Sequence, residues 1–168
     1  MNFADINDIS IHFNYINNGA NKPAVVFSNS LGTDFRIWES CIENLSKDYS
    51  ILTYDKRGHG LSGLGNSPYV INDHVTDLID LMDHLKISEA VLVGLSVGGL
   101  VVQGVYHKRP DLVQGLILCD TAAKIGNEQM WNDRIAIARD GGLEALLEGN
   151  MQRWFSPNFH KNRQVDLR

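Results

Sequence analysis

Apolar and polar residues alternate over 9–15, with Ile9, Ile11, Phe13 and Tyr15 on one side of the alternation. A period of two predicts a strand with one buried face. Residues 24–27, 50–54, 90–95 and 115–119 are short, almost wholly apolar runs, the pattern of strands buried on both faces. Between them the spacing becomes helical. Phe35, Trp38, Cys41, Ile42 and Leu45 share one helical face. Ile71, Val75, Leu78, Ile79, Met82 and Leu85 form an apolar stripe on a helix over 71–85, with acids opposite. A further helix runs over 97–107 and stops before Pro110. Asn17-Asn18-Gly19 and Asn21-Lys22-Pro23 are turn chemistry, and 56–68 is a Gly-rich loop.

Strands thus alternate with helices from residue 23 to 119. Buried strands joined by helices predict an α/β fold, with a mostly parallel sheet and helices on both faces. After Asp120 the pattern changes: 127–139 and 142–151 read as two helices separated at Gly141-Gly142, with no strand between them. The expected division is a core over 1–123 and a helical segment over 124–168. There are no repeats and no low-complexity tract.

Composition narrows the classes. A chain of 168 residues suits one globular domain with a sizeable core. Four Pro, 15 Gly and two Cys exclude collagen-like and disulfide-scaffold chains. The net charge is −5 and no Lys/Arg cluster reverses it locally, so neither nucleic acid nor anionic lipid is an expected partner. The first twenty residues hold no Lys or Arg, unlike a signal peptide. The longest apolar stretch, 90–102, is shorter than the roughly 20 residues that span a bilayer. The expected location is the cytoplasm. Cys41 and Cys119 sit among apolar residues and read as buried, reduced thiols.

The candidate chemistry centres on Gly94-Leu95-Ser96-Val97-Gly98, followed by Gly99. An apolar strand runs straight into Ser96 and a helix starts straight after it. This strand–elbow–helix arrangement resembles that of the α/β-hydrolases, with Ser96 as nucleophile. A turn that tight strains the backbone at Ser96 and pushes its hydroxyl up from the sheet. Side chains at 94 and 98 would collide with neighbouring backbone, and Gly99 would let the helix pack close to the sheet. In such hydrolases the loop after the preceding strand, here Ser28-Asn29-Ser30-Leu31-Gly32, supplies a second oxyanion donor. The donors would be the N–H groups of Leu31 and Val97. Many members carry His-Gly where this chain has Asn29-Ser30. The segment Asp55-Lys56-Arg57-Gly58-His59-Gly60-Leu61-Ser62 is similar to the D-x-R-G-x-G-x-S loop of many α/β-hydrolases, where its role is mainly structural.

Together, S-N-S-L-G-T-D, Y-D-K-R-G-H-G-L-S and V-G-L-S-V-G-G resemble the 3-oxoadipate enol-lactonase family within the α/β-hydrolases. So do residues 117–123, Trp131-x-x-Arg134 and Arg153-Trp154-Phe155-Ser156. The resemblance implies a small-molecule enol-lactone substrate, opened through a Ser96 acyl-enzyme to 3-oxoadipate in the β-ketoadipate route of aromatic catabolism. It implies no cofactor and no metal. It also implies that the post-120 helices begin a cap, in which Arg134, one turn from Trp131, would hold the substrate carboxylate while Trp131 walls the pocket. The alternative for the pair is a surface Arg beside a core Trp.

The base and acid are not evident. His107 lies eleven positions along the elbow helix, about 16 Å away at 1.5 Å per residue. His160 follows Ser156-Pro157-Asn158-Phe159 and reads as a solvated loop residue; Asp120 reads as structural. The family continues beyond this point, so the chain is expected to stop inside the cap, carrying nucleophile and oxyanion hole without acid or His. Three other readings stand beside the lactonase. One is another α/β-hydrolase chemistry, such as a carboxylesterase, perhydrolase or C–C hydrolase. A second is a hydrolase-fold ligand-binding protein without catalysis. The third is an NAD(P)-binding oxidoreductase, suggested by Gly58-x-Gly60-x-x-Gly63 but disfavoured because no helix starts at once after it.

Overall fold

The computed structural model describes residues 2–19 and 23–162. Of the turn at 21–23 only Pro23 lies within them, and residues 163–168 lie outside them. The chain divides into two compact units, Met1–Ile125 and Gly126–Arg168.

The first unit is built on a six-stranded sheet: β1 (Asn2–Ile6), β2 (Ile9–Ile16), β3 (Ala24–Ser28), β4 (Ile51–Tyr54), β5 (Ala90–Leu95) and β6 (Val113–Cys119). Their order across the sheet is β1-β2-β4-β3-β5-β6. β1 and β2 form an antiparallel hairpin, and β2 pairs antiparallel with β4. The other four strands are parallel, with Val26 opposite Leu52 and Ser28 opposite Gly94. β1 was not expected from the pattern, because it is only five residues long, with Ala4 and Ile6 inward and Phe3 left exposed. Pairing to β2 makes it a strand.

Period-two alternation sorts the sheet residues onto two faces. Ile9, Ile11, Phe13, Val26, Leu52, Tyr54 and Leu92 enter the larger core. There they meet Val75, Leu78, Ile79, Leu81 and Met82 of α2 (Ile71–His84), and Val101, Val102 and Val105 of α3 (Val97–Lys108). On the other face Val25, Phe27, Ile51 and Val93 pack on Trp38, with Phe35, Ile42 and Leu45 at the margin. These come from a 3-10 turn (Phe35–Trp38) leading into α1 (Glu39–Leu45), where a single helix was expected. Helices therefore cover both faces, as expected.

Two side-chain expectations change. The acids of α2 are not all solvated: Asp77 is 1% exposed, because Arg57 meets it there. Cys41 and Cys119 are both free thiols, but Cys41 is exposed and Cys119 half-buried.

The second unit holds α4 (Glu128–Gly141), a 3-10 turn (Leu143–Leu146), α5 (Leu147–Trp154) and α6 (Pro157–Asn162). The Asn127 side chain caps α4 by accepting from the Met130 N–H at 2.9 Å. His160 lies in α6, not in a loop. The Ser156 hydroxyl accepts from the Phe159 N–H at 3.2 Å, and Pro157 takes the first helical position. Among the described residues no helix is long and apolar enough to cross a membrane.

Candidate active site

β5 ends at Leu95 and α3 begins at Val97, so Ser96 alone makes the turn. Its backbone sits at φ 54°, ψ −116°, a region that costs a non-glycine residue about 1–3 kcal/mol. Three hydrogen bonds hold it there. The Ser96 N–H donates to the Cys119 carbonyl at 3.0 Å. The Ser96 carbonyl accepts from the Gly99 N–H at 2.9 Å and from the Thr121 hydroxyl at 2.7 Å. The Ser96 hydroxyl does not cap the helix. Among the described residues no imidazole hydrogen-bonds it.

The glycines around it have distinct reasons. A Cβ at Gly94 would lie 2.5 Å from the Gly98 carbonyl oxygen, and one at Gly98 would fall on the Ser28 carbonyl. The second overlap shows how tightly the start of α3 presses on the end of β3. Gly99 was expected to bring the helix near the sheet. Its missing side chain instead makes room for Thr121, the residue that grips the Ser96 carbonyl. Close helix packing is the work of Gly104, which faces Val75 of α2. Thr121 as an elbow residue was not legible in the sequence, since nothing local links it to a serine 25 positions earlier.

The loop after β3 lies against this elbow. Leu31 is 36% exposed at its tip. Val97 is the first residue of α3, where helical N–H groups lack an intrahelical acceptor. The loop is pinned from within. Thr33 donates its hydroxyl to the Ser30 carbonyl at 3.1 Å, and the Asn29 amide donates to the Thr33 carbonyl. Lys56 Nζ donates to the carbonyls of Asn29 at 2.6 Å and Ser30 at 3.3 Å. Lys56 is 1% exposed, and burial pushes its ammonium down to about 7. Sequence reading passed over it, because a Lys inside a polar loop motif carries no periodicity that signals burial.

The loop that begins at Asp55 is a structural hub. Its carboxylate accepts from His12 Nδ1 at 2.8 Å and from the N–H groups of Phe35 and Leu61, each at 3.0 Å. Gly60 sits at φ +50°, and a Cβ there would land on that carboxylate. The Ser62 hydroxyl donates to the Asp55 carbonyl at 2.7 Å and accepts from the His12 N–H at 2.8 Å. Arg57 makes two 2.6 Å bonds to Asp77. Gly60 thus serves Asp55, whereas a Cβ at Gly58 would meet Tyr69 and one at Gly63 would meet Ile9, and no helix follows until Ile71. His107 is exposed in the last turn of α3, and Asp120 is exposed at φ +41°.

In the helical unit, Trp131 and Arg134 lie one turn apart on α4 and are both half-buried. Arg134 Nη2 donates to Asn150 Oδ1 at 3.0 Å. Among the described residues no carboxylate is within ion-pair distance of Arg134. Burial lowers its proton affinity, and the charge of Arg153 lowers it further. His160 bonds the Met151 carbonyl through Nε2 at 2.9 Å, a tie within this unit.

Residues 23–165 match the model of the alpha/beta hydrolase fold. The chain belongs to the alpha/beta hydrolase family. Within this family it is 40% identical to 3-oxoadipate enol-lactonase 2 of Acinetobacter baylyi, over 89% of this chain and 56% of that protein. It is 36% identical to 3-oxoadipate enol-lactonase 1 of the same organism, over 88% of this chain and 55% of that one. The crystal structure of the enol-lactonase from Burkholderia xenovorans LB400 superposes with a TM-score of 0.94 at 37% identity, covering 99% of this chain and 64% of that chain. The alpha/beta hydrolase chain thus spans little more than half the length of the curated relatives it matches.

Proposed function

We propose that the protein bearing this chain hydrolyses an enol-lactone to 3-oxoadipate in the cytoplasm, with Ser96 as nucleophile. The observation that carries the reading is Ser96 itself. A strained serine with an uncommitted hydroxyl stands at the head of a helix, in a chain 40% identical to an enol-lactonase. Strain at a residue that spends its side chain on nothing structural is the mark of a site kept for chemistry.

In this reading Ser96 Oγ attacks the lactone carbonyl carbon. The carbonyl oxygen takes the negative charge and is received by the N–H groups of Leu31 and Val97. Collapse breaks the ring C–O bond and releases an enolate, which takes a proton and becomes the ketone. Water then attacks the acyl ester and frees the carboxylate and Ser96. One oxyanion donor is worth about 3–4 kcal/mol in such a site. The Ser96 proton passes to a base that the described residues do not hold at hydrogen-bond distance. Residues 124–168 act as the start of a cap in this reading. Arg134 binds the substrate carboxylate there, supported by its lack of a carboxylate partner and by the second cation, Arg153, beside it. Trp131 walls the pocket.

The test is ring opening of the enol-lactone, followed by ultraviolet absorbance, with protein expressed from its complete reading frame. Ser96→Ala is expected to lower kcat about 10⁶-fold. Hydrolysis of 4-nitrophenyl acetate without any lactone turnover would assign a general esterase instead. Equal lactone turnover by Ser96→Ala would overturn the reading altogether.

A further inference from the structure

We infer that Lys56 is a positioning residue that aims the Leu31 N–H as an oxyanion donor, by holding the Asn29 and Ser30 carbonyls on the opposite side of the loop. The inference rests on the hydrolase reading above and adds a residue to it.

Across a trans peptide, the carbonyl of one residue and the N–H of the next point in opposite directions. The 29–30 and 30–31 peptides are not among the cis bonds of the chain. Lys56 Nζ draws the Asn29 carbonyl to 2.6 Å and the Ser30 carbonyl to 3.3 Å. The Thr33 hydroxyl meets the Ser30 carbonyl as well, at 3.1 Å. With the Ser30 carbonyl turned inward, the Leu31 N–H is turned outward. Rotation of that peptide would replace a donor with a carbonyl oxygen, which repels the oxyanion it should receive.

A structural role alone accounts poorly for the residue. Lys56 is 1% exposed and has no carboxylate within ion-pair distance among the described residues. A buried ammonium without a paired anion is costly, and an apolar side chain of that length would fill the same space at lower cost. The two carbonyls are what it touches. They belong to the loop that α3 presses upon, since a Cβ at Gly98 would lie 2.8 Å from the same Asn29 oxygen. Asn29 and Ser30 stand where many hydrolases of this fold carry His-Gly. The lysine therefore braces the segment in which this chain departs from the common pattern.

The experiment compares wild type, Lys56→Met and Lys56→Gln, all expressed from the complete reading frame. In Lys56→Met, kcat for the lactone or for 4-nitrophenyl acetate is expected to fall about 100-fold while KM moves less than about threefold, the signature of a lost transition-state contact. Lys56→Gln keeps an amide NH₂ as donor and is expected to recover part of the loss. Crystal structures of wild type and Lys56→Met supply the second readout: the 30–31 peptide is expected to rotate in the variant. Wild-type kcat in Lys56→Met, or an unrotated peptide, overturns the inference. If Lys56→Met does not fold, a Lys56→Gln variant whose 30–31 peptide has rotated while kcat stays at the wild-type value overturns it equally. If Ser96→Ala leaves activity intact, the hydrolase reading fails by itself, and the peptide orientation in the two crystal structures decides for Lys56 alone.

Discussion

Arg57 and Asp77 are separated by twenty positions and meet in the interior through two parallel bonds of 2.6 Å. Their side chains are 10% and 1% exposed, so neither charge can lean on water. Asn7 adds a third contact, its amide donating to the same carboxylate at 3.1 Å. The pair joins the loop after β4 to α2, which explains how an acid on the expected polar face of that helix comes to be buried. Removing one partner strands the other. Arg57→Met is expected to cost about 3–5 kcal/mol in urea unfolding, and the double variant Arg57→Met/Asp77→Leu to recover most of it. Near-equal losses in the single and double variants would show that the pair is not the contact that matters.

The elbow depends on the approach of two elements rather than on any single bond. β5 delivers Ser96, and the start of α3 lies close enough to β3 that only glycine fits at 98. Gly98→Ala places a methyl group on the Ser28 carbonyl, which is backbone and cannot step aside. The expected stability loss is about 1–3 kcal/mol. Because the helix start carries the Val97 N–H, kcat should fall more than stability alone accounts for. Matched chemical unfolding and steady-state hydrolysis, measured on the same preparation, separate the two effects. The requirement for glycine was legible from the G-x-S-x-G spacing. The partner of Gly99 was not, because Thr121 arrives from beyond β6.

At the scale of the whole molecule, buried bases make stability depend on pH. Burial, and then the charge of Lys56, push His74 down to about 4, against an ordinary value of 6.5. Between those values the unfolded chain binds a proton that the folded chain refuses, so stability falls as pH drops from about 6.5 toward 4. Lys56, pushed down to about 7 from 10.5, acts in the same sense at higher pH: stability rises from about 7 toward 10. Tyr54 is fully buried and its phenol is pushed up, so it opposes further gain above pH 10. Urea midpoints should therefore climb from pH 5 to pH 9. His74→Phe should flatten the acid limb, and Lys56→Met the alkaline limb. Midpoints independent of pH in wild type would contradict both assignments.

Apolar periodicity by itself determined the alternation of strands and helices, the two covered faces of the sheet, and the placement of Ser96 at a strand–helix junction. These follow from spacing along the chain, which burial of one side of a strand or helix imposes locally. It could not report β1, a five-residue segment that becomes a strand only through pairing with β2. Nor could it report that Asp77 and Lys56 are interior, because burial of a charge is decided by the partner that meets it. Arg57 meets Asp77 across twenty positions, and two carbonyls meet Lys56 from a loop 26 and 27 positions back. Such contacts exist only once the sheet has brought β3, β4 and α2 together. The nucleophile was thus legible in a five-residue motif, while the groups that hold its surroundings in place were assigned by the tertiary structure.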